Sequence, residues 1–124
     1  MRTKEDVIIS LNMIRKSLDS DVIDVDIEMV KNKMLGLTQL IGLSAECNAS
    51  AKKILLKKEL EVLSQIPKDV APSKVAKMVN AECYDEGALL EYSDRLNSAL
   101  IHSIDAIRSV LSLYKVELEN SLKQ

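Results

Sequence analysis

Six of the seven lysines from position 52 to position 77 have the residue type and spacing that most favour a binding site. Lys53 and Lys57 are one helical turn apart, so their like charges repel by roughly a few tenths of a kcal/mol. A polyanion lying along this face would relieve the repulsion and release counterions. The sequence therefore predicts a nucleic-acid-binding surface made of Lys52, Lys53, Lys57, Lys58, Lys74 and Lys77.

The neighbouring residues limit the strength of this surface in one chain. Glu59 and Glu61 neutralise part of its charge, and three tyrosines are the only aromatic residues on which a base could stack. Lys74 and Lys77 extend the surface if the turn before them folds the last helix alongside. We therefore expect one subunit to bind weakly, and an oligomer that repeats the surface to bind well through its effective concentration.

The remaining reactive residue types favour no catalytic site. His102 is the single histidine, and its aliphatic surroundings favour a surface or seam position. Cys47 and Cys83 form no CxxC motif and are expected to be reduced, buried and apolar in behaviour. Glu82 and Glu86 share a helical face, but all-α magnesium hydrolases need several such pairs. We therefore expect no enzymatic activity, no metal and no cofactor.

Charge alternates along the chain, although the net charge is only −2. Residues 51–77 hold seven lysines against three carboxylates, a net charge of +4, whereas 19–28 and 78–94 hold acidic residues without a basic one. This alternation suits subunit contacts or a local anion site. A solvated surface with no binding role gives the same pattern, because exposed ion pairs contribute little.

Composition and periodicity predict an all-α fold, an elongated helical bundle with a long C-terminal helix. The 124 residues suit a single domain and contain only three Gly and two Pro, which favours long helices. The predicted elements are an N-terminal helix at 1–20, a central helix or two helices at 22–66, a linker at 67–72 and a C-terminal helix at 73–120.

Several helix boundaries follow from capping residues. Thr3 and Asp6 predict a capping box at the start of the first helix, and Ser73 is the predicted N-cap of the last one. Two points stay open at this stage. Residues 44–50 either continue the central helix or begin a new one, and Gly87 could break or kink the last helix.

The last helix carries an apolar stripe with spacings of four and three over three heptads, which is typical of a coiled coil or a bundle seam. We assign this stripe to the interface of a homo-oligomer, formed by Leu96, Leu100, Ile104, Ile107, Leu111, Tyr114 and Leu118. The predicted core consists of Val30, Met34, Leu37, Ile41, Leu96, Leu100, Ile107 and Leu111.

Apolar runs in this sequence are short. None approaches the roughly 20 residues of a membrane span, and none of signal-peptide length follows the charged residues 1–6. We therefore expect a cytoplasmic protein that does not associate with membranes.

The order of these segments resembles the recombination mediator proteins of T4-type phages. The shared features, over roughly 22–118, are a Val-Ile-Asp entry into a helix, a lysine-rich helix, a flexible break and a long final helix. That helix carries Tyr92 and then the segment Ile104-Asp105-Ala106-Ile107-Arg108-Ser109 followed by Lys115. The chain departs from the family in lacking its central-helix aromatics and most of its positive charge, and in having an extra N-terminal helix.

The resemblance implies a phage-encoded protein that acts in the host cytoplasm. It implies a ring closed through the C-terminal helices, single-stranded DNA bound by the lysine-rich helix, and help in loading a recombinase onto DNA covered by single-strand binding protein. Arg108 and Lys115 match basic positions of the family. The alternative is a helical interaction protein without a nucleic-acid role, such as an inhibitor, an assembly chaperone or a structural adaptor.

Overall fold

The structure is a computed structural model that describes residues 2–19 and 26–123. Over these ranges the chain forms four α-helices and no strand, which confirms the all-α prediction. The helices are α1 (Lys4–Asp19), α2 (Ile27–Gln65), α3 (Pro72–Glu82) and α4 (Tyr84–Leu122). The predicted Val-Ile-Asp entry and most of the acidic segment 19–28 lie outside the described residues.

Helix α1 begins with the predicted capping box. The Thr3 backbone N–H donates to Asp6 Oδ2, and the Asp6 N–H donates to Thr3 Oγ1, both at 3.2 Å. The hydrogen bond from the Thr3 backbone lowers the pKa of Asp6, so the ionised carboxylate stabilises the fold.

This box makes part of the stability depend on pH. Above the usual aspartate pKa of about 3.9 the contribution is fully present, and it is lost as pH falls through the lowered value. We expect Asp6→Ala to lower the melting temperature at pH 7, and the difference from wild type to shrink at strongly acidic pH. Circular dichroism melts across pH measure this difference, and a difference that stays constant with pH would contradict the assignment.

Helix α2 is continuous for 39 residues, about 58 Å at 1.5 Å per residue. Residues 44–50 therefore do not break it, which settles the first open point. The reason lies in packing, because Ser44, Cys47, Ser50 and Ala51 are all buried along this stretch. The helix begins where the Asp26 side chain accepts a hydrogen bond from the Glu28 N–H at 3.0 Å, a typical N-cap.

The predicted final helix is interrupted at Cys83, which separates α3 from α4, and Gly87 lies within α4. The backbone nevertheless continues with little loss of pairing. The Cys83 N–H donates to the Val79 carbonyl, and the Gly87 N–H donates to the Cys83 carbonyl, both at 2.9 Å. The prediction of Ser73 as N-cap is wrong: Ala71 is the N-cap and Pro72 is the first helical residue, a position where its missing N–H costs nothing.

Helices α2 and α4 form the main packing layer and run antiparallel. Ser44 pairs with Asn97, and Asn48 further along α2 pairs with Ser93 earlier in α4. Helix α1 covers the middle of both, where its apolar stripe joins one buried cluster of Val7, Leu11, Ile14, Cys47, Ala51, Leu89 and Leu96. A second cluster of Leu37, Leu100 and Ile104 extends the core along the α2–α4 pair.

The core prediction is half confirmed. Val30, Leu37, Leu96 and Leu100 are buried, and Met34, Ile107 and Leu111 are half-buried. The assignment of Ile41 to the core is wrong, since Ile41 is 39% exposed. The apolar residues of α2 do not mark its buried face near Ile41, because the next buried positions after Leu37 are Ser44 and Cys47, which are small or polar.

The assignment of the α4 stripe to an oligomer interface needs a correction. Leu96, Leu100 and Ile104 are at most 8% exposed and pack inside the chain. Their partners are α1 and α2, whose apolar faces cover them, so these three residues are not available to another subunit in this fold.

A polar layer crosses the α2–α4 interface. Ser44 is fully buried, and its hydroxyl donates to Asn97 Oδ1 at 2.8 Å. We expect Ser44→Ala to cost about 1 kcal/mol in the free energy of unfolding, because the Asn97 oxygen loses its donor. Urea denaturation measures the loss. Ser109→Ala is the matched control, because that hydroxyl is exposed and donates only to the Asp105 carbonyl of its own helix.

Candidate nucleic-acid interface

The six predicted lysines lie toward the end of the molecule where α2 meets α3. Lys52, Lys53 and Lys57 are exposed on α2, and Lys58 is half-buried. Lys74 and Lys77 are exposed on α3. Among the described residues, none of the six lies within 4.0 Å of a carboxylate, whereas Arg2, Lys4, Arg15, Lys31, Arg95 and Arg108 each do.

The fold divides the α2 lysines between two sides of the helix. Lys53 lines an outer depression with Arg2, Asp6 and Glu46. Lys57, one turn further along the helix, and Lys58 both line a cleft that also contains Glu86. The four lysines of α2 therefore do not form one flat patch, and only part of the predicted set faces outward together.

Packing of α3 against α2 brings the remaining two lysines to the same end. Val75 and Val79 of α3 line a shallow depression with Glu59 and Leu63 of α2. The turn at 66–71 thus places α3 beside the end of α2, and the extension of the surface by Lys74 and Lys77 stays a prediction.

Two basic residues that sequence reasoning missed join this region through α1. Arg2 and Lys4 line a cleft of about 430 Å³ together with Lys57 and Lys58. Arg2 donates to Glu46 Oε2 at 2.8 Å, a hydrogen bond that raises the pKa of Arg2. More than 50 positions separate these residues from Lys57, so no local pattern could have paired them.

Apolar and aromatic side chains are exposed among the lysines. Leu56, Leu60 and Leu63 of α2 are between 46% and 58% exposed. Tyr84 is 73% exposed at the start of α4, where it lines a depression with Glu59 and Glu91, and it is the most exposed of the three tyrosine rings. Tyr92 and Tyr114 are half-buried, and the Tyr92 hydroxyl is tied to Asn12 of α1.

The residues considered for other chemistry lie apart. His102 is exposed on α4, while Cys47 and Cys83 are buried, as the sequence predicted. Burial raises the pKa of both thiols, which favours their protonated form. Glu82 is exposed at the end of α3, whereas Glu86 is buried and paired with Lys4. Within 2–19 and 26–123, His, Cys, Asp and Glu form no group of three that could hold a metal ion.

The C-terminal half of α4 leaves apolar side chains exposed. Leu118 is 63% exposed, and Ile107, Leu111 and Tyr114 are half-buried. A further set that the interface prediction did not include is also exposed, namely Val110, Leu113, Val116 and Leu122. Any helix-mediated contact with another chain has more apolar surface available here than in the buried part of the stripe.

None of the helices in the described ranges has an apolar stretch long enough to cross a lipid bilayer.

Comparison of the chain with protein-family models, with curated proteins and with solved structures found no match.

Proposed function

We propose that this protein is a non-enzymatic, self-associating, single-stranded-DNA-binding protein of the recombination-mediator type. The observation that carries the proposal is the concentration of the six predicted lysines on the later part of α2 and on α3, none of which lies within 4.0 Å of a carboxylate among residues 2–19 and 26–123. Basic side chains without carboxylate partners are free to neutralise phosphates, and each phosphate they neutralise releases counterions.

Exposed Tyr84 and the leucines beside the lysines support a single strand rather than a duplex. A single strand offers unstacked bases to apolar and aromatic side chains, whereas bases in a duplex are already stacked. The resemblance to phage mediators adds the expected next step, in which the bound strand passes to a recombinase or is taken over from single-strand binding protein.

Light scattering with a labelled oligonucleotide tests this proposal at low salt. We expect a self-associated protein whose mass rises with the oligonucleotide, and whose binding weakens as salt increases. A monomer or dimer indifferent to the oligonucleotide at every salt concentration would refute it.

A second candidate function is a protein-interaction module without a nucleic-acid role. The exposed apolar end of α4 favours it, because clustered exposed apolar residues mark contacts with other chains.

We expect Leu113→Asp with Leu118→Asp to lower the mass measured by light scattering if this end carries the self-association. Ser112→Asp is the control, because it adds a charge to the same helix at an exposed position. Arg95→Asp would not serve, because it also breaks the ion pair with Glu91. An unchanged mass for the double variant would show that Leu113 and Leu118 do not carry the self-association.

A further inference from the structure

The cleft between the start of α1 and helix α2 has a net positive charge that depends on the N-terminal residues. Its charged lining residues are Arg2, Lys4, Lys57 and Lys58 against Glu61 and Glu86, four positive charges against two negative ones, or +2. Without Arg2 and Lys4 the same cleft would be neutral. The N-terminal segment therefore supplies the whole positive excess.

Helix α1 holds these two residues in place. Val7, Leu11 and Ile14 are fully buried against α2 and α4, which fixes the helix along its length. The Lys4 Nζ lies 3.5 Å from Glu86 Oε2, which is mostly shielded from solvent, and Arg2 reaches Glu46 on the outer side of α2. Lys4 thus reaches the cleft as the first residue of α1, and Arg2, two residues before it, is held beside the cleft by its hydrogen bond to Glu46.

The cleft, of about 430 Å³, has room for a phosphate group beside Lys57 and Lys58. Ile54 contributes apolar surface, and Lys57 and Lys58 have no carboxylate within 4.0 Å in the described chain. Arg2 also lines a neighbouring depression with Lys53, Asp6 and Glu46. Arg2 is therefore common to the cleft and to this depression, in which two carboxylates balance the two basic groups.

We infer that the start of α1 completes the binding site, and that phosphates of a single strand cross the cleft between Arg2 and Lys58. This inference rests on the proposed function, and it adds a segment to a site that the sequence places on α2 and α3 alone. In this site Glu61 opposes binding, because it lines the cleft and is exposed without a basic partner among the described residues.

Removal of that opposing charge is the first test. We expect Glu61→Gln to raise the affinity for an oligonucleotide by about threefold at low salt, since one repulsive charge leaves the cleft. Glu59→Gln is the matched control. It makes the same change two residues away on α2, on the side that faces α3 and Cys83 rather than α1. Fluorescence anisotropy measures both, and equal gains would mean that overall charge rather than the cleft sets the affinity.

Removal of the α1 charge is the second test. We expect Arg2→Gln to reduce the slope of log affinity against log salt by about 0.7, the value of one lost phosphate contact on a single strand. Arg15→Gln is its control, because Arg15 is an exposed, ion-paired arginine at the other end of α1. If Arg2→Gln and Arg15→Gln behave alike while charge reversal on α2 abolishes binding, this inference fails and the proposed function stands.

A probe independent of DNA separates the two failures. Inorganic tripolyphosphate is added to the labelled wild-type protein, and backbone amide shifts are followed by NMR. Shifts confined to residues 3–6 and 54–61 support an anion site in the cleft even if no oligonucleotide binds. Shifts spread evenly over all lysine-bearing segments, or none at all, overturn the inference.

Discussion

Reversing the charge of Lys53 and Lys57 together is expected to weaken binding of a single-stranded oligonucleotide by about tenfold or more at low salt. Both side chains are exposed, one turn apart, and without a carboxylate partner in the described chain, so two phosphate contacts are lost and replaced by repulsion. The slope of log affinity against log salt should also fall by about 1.4, twice the value for one contact. Fluorescence anisotropy across a salt series measures both quantities.

The matched control is the reversal of Lys16 and Lys123. These lysines are also exposed, but they lie in the last turn of α1 and at the C-cap of α4. The control has the same net charge as the test variant, so a general charge effect would weaken binding equally in both. An equal loss would contradict a site on α2, and unchanged binding in both variants would exclude these lysines from DNA contact.

Shortening Leu100 to alanine is expected to cost about 2–5 kcal/mol in the free energy of unfolding. Leu100 is fully buried in the cluster that α4 forms with Leu37 of α2, and its removal leaves a cavity that rigid helices cannot refill. Urea denaturation followed by circular dichroism measures the loss as a lower midpoint at unchanged slope.

Leu113→Ala is the control for this prediction. Leu113 lies on the same helix and is 59% exposed, so within one chain its truncation should change stability by less than about 0.5 kcal/mol. A large loss at Leu113 that depends on protein concentration would show that a second subunit covers it. A small loss at Leu100 would contradict the packing described here.

The local features of the fold could be predicted because they depend on neighbours within one turn. The Thr3–Asp6 capping box joins groups three residues apart, and the end of α2 at Gln65 follows from Pro67. The burial of Cys47 and Cys83 followed from the chemistry of unpaired thiols. The interruption at Cys83 could not be predicted, because neither Cys83 nor the residues on either side of it are Gly or Pro. Backbone hydrogen bonds also continue on both sides of Cys83.

The sequence could not show which helix or subunit covers the apolar stripe of α4. Heptad spacing shows that one face of α4 must be covered, but an intramolecular helix and a second subunit satisfy the same spacing equally well. Here α1 and α2 cover Leu96, Leu100 and Ile104, and the outer half of the stripe is left with Leu118 exposed. Burial is a property of the assembled helices, so periodicity alone could not divide the stripe.

The sequence by itself determined that this chain is helical, where α2 ends, and which lysines are candidates for binding an anion. These properties follow from residue type and from spacings of one helical turn. Only the tertiary structure decided that Lys58 lines a cleft with Glu86, that Arg2 and Lys4 lie beside Lys57, and that three of the seven residues of the α4 stripe are buried. The reason is that packing of α1 onto α2 joins groups more than 50 residues apart, and no local pattern encodes which charges meet there.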